Sequence, residues 1–402
     1  MQVDGSSPGV FSLAPDFRTR SGQPAVVAGE YLYGLYQGSP ADPADGDWYL
    51  RTLRDEPDQE VAYQPGAAVY EAYPQALMAL NRLPTLQQRV GNRVWEDRRA
   101  GARGNGAPLA PQWIEGQGMW ARVEGSTASI KPASSTFGLR DYDMDIWRMQ
   151  FGFDTLLREY EDGAKVLGGL NAQIGQGRTW VHSDDGNGYI DATGYGLGGT
   201  LTWYRPDGVY VDGQAQVMWF DSDLDSGSLG VHEAKGNNGY GFAFSVETGK
   251  KMALSETWTT TPQFQLSYSR NRFSSFEDAY GAKVRNEKAQ SLLARLGISF
   301  DREVDLSGPS AGASAAHADR RWRFYGIANL TYEFLGDSSV SVGHTRFDTR
   351  QDRLWGELGF GSSYNWRGDK YSVYGELGAR TALANFGDSY GISGTIGFRA
   401  RF

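Results

Sequence analysis

From residue 112 to residue 402 the chain alternates apolar and polar side chains in steps of two, segment after segment. In "IWRMQFGFDTLL", Trp147, Met149, Phe151, Phe153 and Leu157 share one face of an extended strand, and Arg148, Gln150 and Asp154 share the other. "VYVDGQAQVMW" sets Val209, Val211, Ala215, Val217 and Trp219 against Tyr210, Asp212, Gln214 and Gln216. "SLLARLGISF" sets Leu292, Ala294, Leu296, Ile298 and Phe300 against Ser291, Arg295 and Ser299. "YSVYGELGARTAL" sets Tyr371, Val373 and Leu377 against Ser372, Tyr374, Glu376 and Arg380. The closing "YGISGTIGFRARF" sets Tyr390, Ile392, Ile396, Phe398 and Phe402 against Ser393, Thr395, Arg399 and Arg401. The pattern predicts twelve strands, near 118–126, 143–159, 164–179, 189–204, 209–220, 239–248, 258–270, 288–301, 321–334, 350–366, 371–383 and 390–402. An even number closes an antiparallel barrel with both chain ends on one side.

The connections alternate in length. "YEDGA" (160–164), "RPDG" (205–208) and "RGDK" (367–370) are short, whereas 127–142, 221–238, 271–287 and 335–349 are long. Transmembrane barrels have short periplasmic turns and longer external loops, so the asymmetry assigns an orientation. One insert, "SGPSAGASAAHAD" at 307–319, falls where a short turn belongs and reads as a low-complexity, disordered extension. Aromatics gather near strand ends, at Trp120, Trp203, Tyr204, Trp219, Phe220, Phe334, Trp366, Tyr371 and Phe402, as interfacial girdles would.

A different period precedes the strands. Over 67–93, Val69, Tyr73, Leu77, Leu80, Leu83, Leu86 and Val90 recur at helical spacing, with Glu71, Gln75, Arg82, Gln87 and Arg89 elsewhere. This predicts a helix that kinks or restarts at Pro84. A helix packed on the outside of a β domain has the same periodicity.

Composition narrows these readings. Gly is 53 of 402 residues and the aromatics are 12 Trp, 22 Tyr and 19 Phe, yet only 40% of residues are hydrophobic. No run approaches the ~18 apolar residues a membrane-spanning helix needs, which leaves a barrel or a soluble β protein. A net charge of -9 argues against a nucleic-acid partner. With no Cys there are no disulfides, thiol nucleophiles or Cys-based metal sites. "MQVDGSSPGV" is not a signal peptide, so export would require a signal upstream of Met1.

Candidate chemistry is thin. "GYGLGG" (194–199) runs into a strand, so no phosphate cradle follows. "DSDLDSGSLGVHE", from Asp221, has the outline of a calcium loop, but Ser226 takes the turn-glycine position and His232 that of the bidentate acid. "GDSY" (387–390) lacks a recognisable His partner among His182, His232, His317 and His344. No catalytic, metal or cofactor site is expected.

Four segments in this order resemble the type Va autotransporters, the self-exporting outer-membrane proteins of Gram-negative bacteria. "YLYGLYQGSPADPADGDWYLRT" (31–52) is similar to the end of a β-helical passenger, with Asp47, Trp48, Tyr49 and Leu50 at the junction. "LMALNRLPTL" resembles the start of the family's linker, "GMWARVEG" its first barrel strand and "GTIGFRARF" its last. The resemblance implies an all-β fold: a twelve-stranded antiparallel transmembrane barrel threaded by an N-terminal helix, preceded by a short β-helix-like passenger remnant. The implied domains are 1–54 as an autochaperone-like passenger end, 55–111 as a linker with a pore helix at about 67–93, and 112–402 as the translocator.

The resemblance also implies roles. Val69, Tyr73, Leu77, Leu80, Asn81, Arg82, Gln87 and Arg89 belong to the pore helix. Arg148, Asp154, Arg295, Glu376, Arg399 and Arg401 face the lumen, some clamping the helix. Tyr390, Ile396, Phe398 and Phe402 form the signal read by the barrel assembly machinery. Further expected partners are outer-membrane lipid and lipopolysaccharide, periplasmic chaperones and the chain's own passenger, and the barrel is expected to be a monomer. Some relatives cleave their linker by asparagine cyclisation; here Asn81 is followed by Arg82 instead of a second Asn, so the linker is expected to stay intact. A passive porin-like or adhesive barrel is the alternative, and a soluble β-binding protein a third reading.

Overall fold

The computed structural model of the protein describes residues 2–3, 11–53, 61–91, 94–96, 111–113, 117–255, 257–306, 320–367 and 369–402. The insert at 307–319 and the predicted last two helix residues, 92 and 93, lie outside this set.

Twelve antiparallel strands make the barrel. They are β1 (Gly118–Ile130), β2 (Leu139–Glu159), β3 (Lys165–Ser183), β4 (Gly188–Tyr204), β5 (Val209–Ser226), β6 (Val231–Lys250), β7 (Trp258–Phe273), β8 (Lys283–Asp305), β9 (Arg321–Glu333), β10 (Leu354–Trp366), β11 (Tyr371–Ala382) and β12 (Tyr390–Arg401). Each pairs with the next, and β12 returns to β1 with Tyr390 opposite Ser129 and Arg401 opposite Gly118. Closure leaves no exposed strand edge within the wall.

Most strands extend beyond their predicted bounds. The loop expected at 221–238 is largely strand, because alternation continues: Ser222, Leu224 and Ser226 turn inward and are buried, and 227–230 alone makes the turn. Residues 334–353 likewise contain a hairpin, Ser338–Val342 with Thr345–Arg350, tightly turned at Gly343 with φ 57°. It pairs with the outer end of β8 and with Ser134 and Ser135, so the long-loop end carries its own small sheet.

The two-residue period sorts the wall as predicted. Trp147, Phe151, Phe153, Leu197, Phe244, Leu296, Phe360 and Ile396 point outward and are exposed, while Gln150, Asp212, Gln216, Glu247 and Arg295 are buried inside. This inversion of soluble-protein order suits a wall with acyl chains outside and water inside. Phe151, 52% exposed, faces outward near the middle of β2. A Phe151→Arg substitution is expected to cost about 2–4 kcal/mol in lipid. Equilibrium refolding into vesicles by urea titration measures it, and a cost below ~1 kcal/mol would contradict a bilayer at that depth.

The aromatic girdle needs correction. Trp203, Trp219, Phe334 and Phe402 are outward and exposed, but Trp120, Tyr204 and Phe220 are buried on the inner face. Position near a strand end does not set which face a side chain takes; each of these three falls on the inward register of its strand. Outside, Phe402 stacks on Phe153 at 5.9 Å and Tyr371 on Phe398 at 6.2 Å.

Inside the barrel run two helices, α1 (Ala67–Leu80) and α2 (Leu86–Val90): of the kink or restart expected at Pro84, the chain takes the restart. Asn81 ends α1, and Pro84 forces the residue before it out of helical geometry. Thr85 then restarts the chain: its side chain accepts from Gln88 N, and the Gln88 side chain accepts from Thr85 N, a reciprocal cap. Pro74 sits inside α1, where its missing N–H leaves one turn without a hydrogen bond.

The N-terminal piece is an antiparallel sheet of Gln2–Val3, Phe17–Arg18, Pro24–Ala28, Tyr31–Gln37 and Trp48–Thr52, not the parallel coil of a β-helix. The reversal at Gly29, with φ 59°, folds neighbouring strands back as a hairpin, which parallel winding excludes. The sheet meets the long-loop end of the barrel: Gly29 N donates to Tyr280 O at 3.0 Å, and His344 N donates to Glu30 Oε1 at 3.1 Å.

Candidate functional site

The chain passes through its own barrel, and the lumen wall grips it residue by residue. α1 is buried on nearly every side, so Val69, Tyr73, Leu77 and Leu80 do not select one apolar face against a core. They pack among inward side chains of the wall, with Tyr73 against Phe273 at 4.5 Å. The polar positions of α1 are equally buried. Glu71 accepts the backbone N–H groups of Thr136 (3.1 Å) and Phe137 (2.9 Å) and the Thr349 hydroxyl (2.8 Å), which ties two external loops to the helix. Gln75 donates to Gly336 O and Ser338 Oγ.

At the break between the helices, carbonyls lose their helical partners, and the wall supplies donors. Arg148 reaches Arg82 O at 2.6 Å and Leu80 O at 3.4 Å. Gln216 donates to both Asn81 O (3.0 Å) and Asn81 Oδ1 (2.9 Å), and Gln214 donates to Pro84 O at 2.9 Å. The Asn81 amide donates to Asn271 Oδ1 at 2.6 Å and to Phe242 O at 3.2 Å. The first free N–H of α2, that of Leu86, meets Glu247 Oε2 at 3.1 Å.

Below the break the contacts become ionic. The Arg89 guanidinium, 1% exposed, lies 2.6 Å from Asp212 Oδ1 and 3.8 Å from Asp154 Oδ1. Thr202 Oγ1 also donates to Asp212 Oδ1. Gln88 donates to Glu376 Oε1 at 2.7 Å, and Tyr325 holds the other oxygen of Glu376. Arg323 reaches Gln87 Oε1 at 3.4 Å while paired to Asp301. The end of α2 is fixed by Tyr374 Oη on Arg89 O and by Arg399 on Val90 O at 3.1 Å. Together with the groups at the break, these come from β2, β4, β5, β6, β7, β8, β9, β11 and β12, so the grip surrounds the segment.

Of the lumen residues expected from sequence, Arg148, Asp154, Glu376 and Arg399 contact the linker directly. Arg295 does not; it pairs with Glu247 and with Gln263, Gln265 and Asn329, thereby holding the carboxylate that receives Leu86. Arg401 is half-buried at the end of β12. Arg82 is exposed toward a cavity of about 100 Å³ beside the break, lined also by Glu124, Arg148, Glu357 and Arg380. Asp212, Gln214, Gln216, Glu247 and Tyr374 contact the linker as well, beyond the residues expected from sequence. Their inward parity was visible, but nothing in the alternation says which polar side chains meet the threaded segment.

Tyr390, Ile396, Phe398 and Phe402 all lie on the outer face, 53%, 62%, 42% and 68% exposed. Asp47, Trp48, Tyr49 and Leu50 lie at the strand Trp48–Thr52, where Tyr49 pairs with Tyr36 and Leu50 with Leu35.

Comparison with known proteins agrees with this geometry. Residues 119–378 match the family model described as the autotransporter beta-domain. The chain is 43% identical over 382 residues to the adhesin BmaC autotransporter of Brucella suis biovar 1, covering 93% of this chain and 11% of that protein. It is 26% identical over 223 residues to the pertactin autotransporter of Bordetella parapertussis, covering 55% of this chain and 23% of that one. It therefore spans a small part of the relatives it matches. In fold it resembles the transport unit of AIDA-I from Escherichia coli (TM-score 0.64, 16% identity, 85% of this chain and 100% of that one). It also resembles the translocator domain of NalP from Neisseria meningitidis (TM-score 0.57, 13% identity, 84% and 100%).

Proposed function

Because this chain belongs to the autotransporter β-domain family, we propose that it is an outer-membrane translocator that carries its own N-terminal passenger to the surface of a Gram-negative cell. The observation carrying this reading is the threaded linker: one continuous segment enters at the long-loop end, lines up with wall donors at its break, and leaves at the short-turn end beside Asp154 and Arg399. A plug that arrived from solution would have no reason to be covalently upstream of β1. In this reading residues 1–54 are the passenger's end and fold outside, 55–111 are the linker, and 112–402 form the translocator. No nucleotide motif supplies energy; folding of the passenger outside draws the chain forward. The barrel assembly machinery engages the last strand, whose outward Ile396, Phe398 and Phe402 it reads, after chaperones have carried the chain across the periplasm. A β-strand is a natural substrate for such reading, since its backbone can be augmented before closure.

The test separates export from a porin-like barrel. With a folded reporter fused upstream, deletion of 11–53 should slow reporter display at the cell surface several-fold while leaving barrel insertion intact, as read by protease shaving and heat-shifted gel migration. Equal display rates with and without the sheet would remove its autochaperone role. A reporter that never reaches the surface from the full chain would favour the passive barrel.

The reading includes no enzymatic activity, and the linker stays whole. Cyclisation at Asn81 needs its side-chain nitrogen to lose a proton and attack its own carbonyl carbon. That nitrogen donates to the neutral acceptors Asn271 Oδ1 and Phe242 O, neither of which is a base at neutral pH. Intact-mass spectrometry of the folded protein over days should return a single uncleaved chain; a fragment ending at Asn81 would overturn this.

A further inference from the structure

Away from the clamp, at the long-loop end, three elements bring oxygen atoms together. Gln64 lies three residues before α1, Tyr70 lies in its first turn, Glu233 sits near the start of β6, and Asp278 lies in the loop between β7 and β8. Asp278 takes the donors within reach. Its Oδ1 accepts the N–H groups of Tyr280 (2.9 Å) and Ala282 (2.8 Å), and its Oδ2 accepts the Tyr70 hydroxyl (3.0 Å) and Gln64 Nε2 (2.5 Å).

Glu233 is left without them. It is 3% exposed, and among the described residues neither carboxylate oxygen has a hydrogen-bond partner; nor does Oε1 of the fully buried Gln64. The Ala279 amide lies beside it but outside hydrogen-bond geometry, and the Tyr70 hydroxyl has one proton and gives it to Asp278. Turning the Gln64 amide over would only exchange which carboxylate faces its oxygen. The strongest charges acting on Glu233 are those of Asp278 and Asp225, both negative, and Asp225 is already paired with His232. Position 66 is shaped around this carboxylate: a Cβ on Gly66 would come within 2.4 Å of Glu233 Oε1.

Buried carboxylates are held by partners, protons or metals. Two acids and an amide oxygen, all hard donors, are the ligand set that calcium and magnesium select. We propose that Glu233, Asp278 and Gln64 Oε1 form a divalent-cation site of the calcium and magnesium class. Water completes its shell, and it fastens the segment entering the barrel to the rim. A second group, Asp141, Asp143 and His182, brings its ligand atoms within 4.8 Å of one another on the outer face. Asp143 is exposed there, Asp141 and His182 are half-buried, and Arg140 holds Asp141 at 3.1 Å, so the group serves as the control.

The proposal goes beyond export and is tested without it. Calorimetric titration of the full chain, folded in detergent, with calcium alone and then magnesium alone should show one class of sites. The expected dissociation constant is about 10⁻⁴ to 10⁻³ M, with a rise in unfolding temperature as the cation is added. Glu233→Gln and Asp278→Asn should each weaken binding by about tenfold or more, whereas Asp143→Asn leaves it unchanged. Heat-shifted gel migration confirms that each variant is folded; if Glu233→Gln is not, the wild-type titration and Asp278→Asn decide. Absence of binding at about 10 mM cation would overturn the proposal. So would wild-type affinity in folded Glu233→Gln, or loss of binding in Asp143→Asn instead.

Discussion

Removal of residues 1–91 should raise the single-channel conductance of the reconstituted barrel by about tenfold or more. Twelve strands spaced ~4.8 Å apart and tilted by ~40° enclose a backbone cylinder roughly 24 Å across. Inward side chains on both walls reduce this to roughly the 10–12 Å diameter of one helix with its side chains. The threaded segment therefore fills the opening, and what remains beside it at the break is a cavity of about 100 Å³, room for a few waters. Removal should not unfold the wall, because among the described residues the ladder hydrogen bonds of β1 to β12 are made between strands and not by the linker. Arg89's departure leaves Asp154 and Asp212 to be solvated by the water that enters. Planar-bilayer recordings measure the change. Unaltered conductance would mean that the external hairpin at 338–350 or another wall segment closes the lumen, and the linker would then not be the plug.

Replacing Arg89 by Met in the full chain should lower the stability of the plugged state by about 3 kcal/mol. Methionine keeps much of the buried volume, so the loss is electrostatic. Arg89 is 1% exposed and Asp212 0%, so solvent screening gives little relief, and losing Arg89 takes away a close countercharge of the buried Asp212 carboxylate. A second substitution identifies the cause. Asp212→Asn removes the carboxylate that has lost this countercharge, and the Arg89→Met, Asp212→Asn protein should recover about 1 kcal/mol or more relative to Arg89→Met alone. Urea unfolding in detergent, followed by linker protease sensitivity as well as barrel migration, separates loosening of the linker from loss of the wall. A drop smaller than about 0.5 kcal/mol for Arg89→Met would show the ion pair to be fully hydrated and the clamp to rest on the neutral hydrogen bonds around Asn81 and Pro84.

The alternating code in the sequence was enough for the wall because a strand's side-chain period is two whatever its neighbours are, and a bilayer imposes the same sidedness on all twelve strands. It fixed which face Phe151, Leu296 and Phe398 take, and it placed Arg148, Asp154, Glu376 and Arg399 inside. It failed at Trp120, Tyr204 and Phe220 only where residue type was weighed ahead of parity. The helical period was also legible at 67–80, as was a disruption at Pro84. The Thr85–Gln88 cap turned that disruption into a clean restart.

What tertiary structure alone decided is who meets whom across the lumen. Arg89 finds Asp212 and Asp154, and Gln216 finds Asn81, from strands well separated in sequence; such meetings depend on the barrel's closure and on how far the linker slides before it locks. The same holds for Glu233, beside which the Tyr70 hydroxyl and the Gln64 amide nitrogen both go to Asp278. Periodicity is a local property of the chain and survives in the sequence. Pairing across a closed cylinder is a property of its circumference and register, and no single segment carries it.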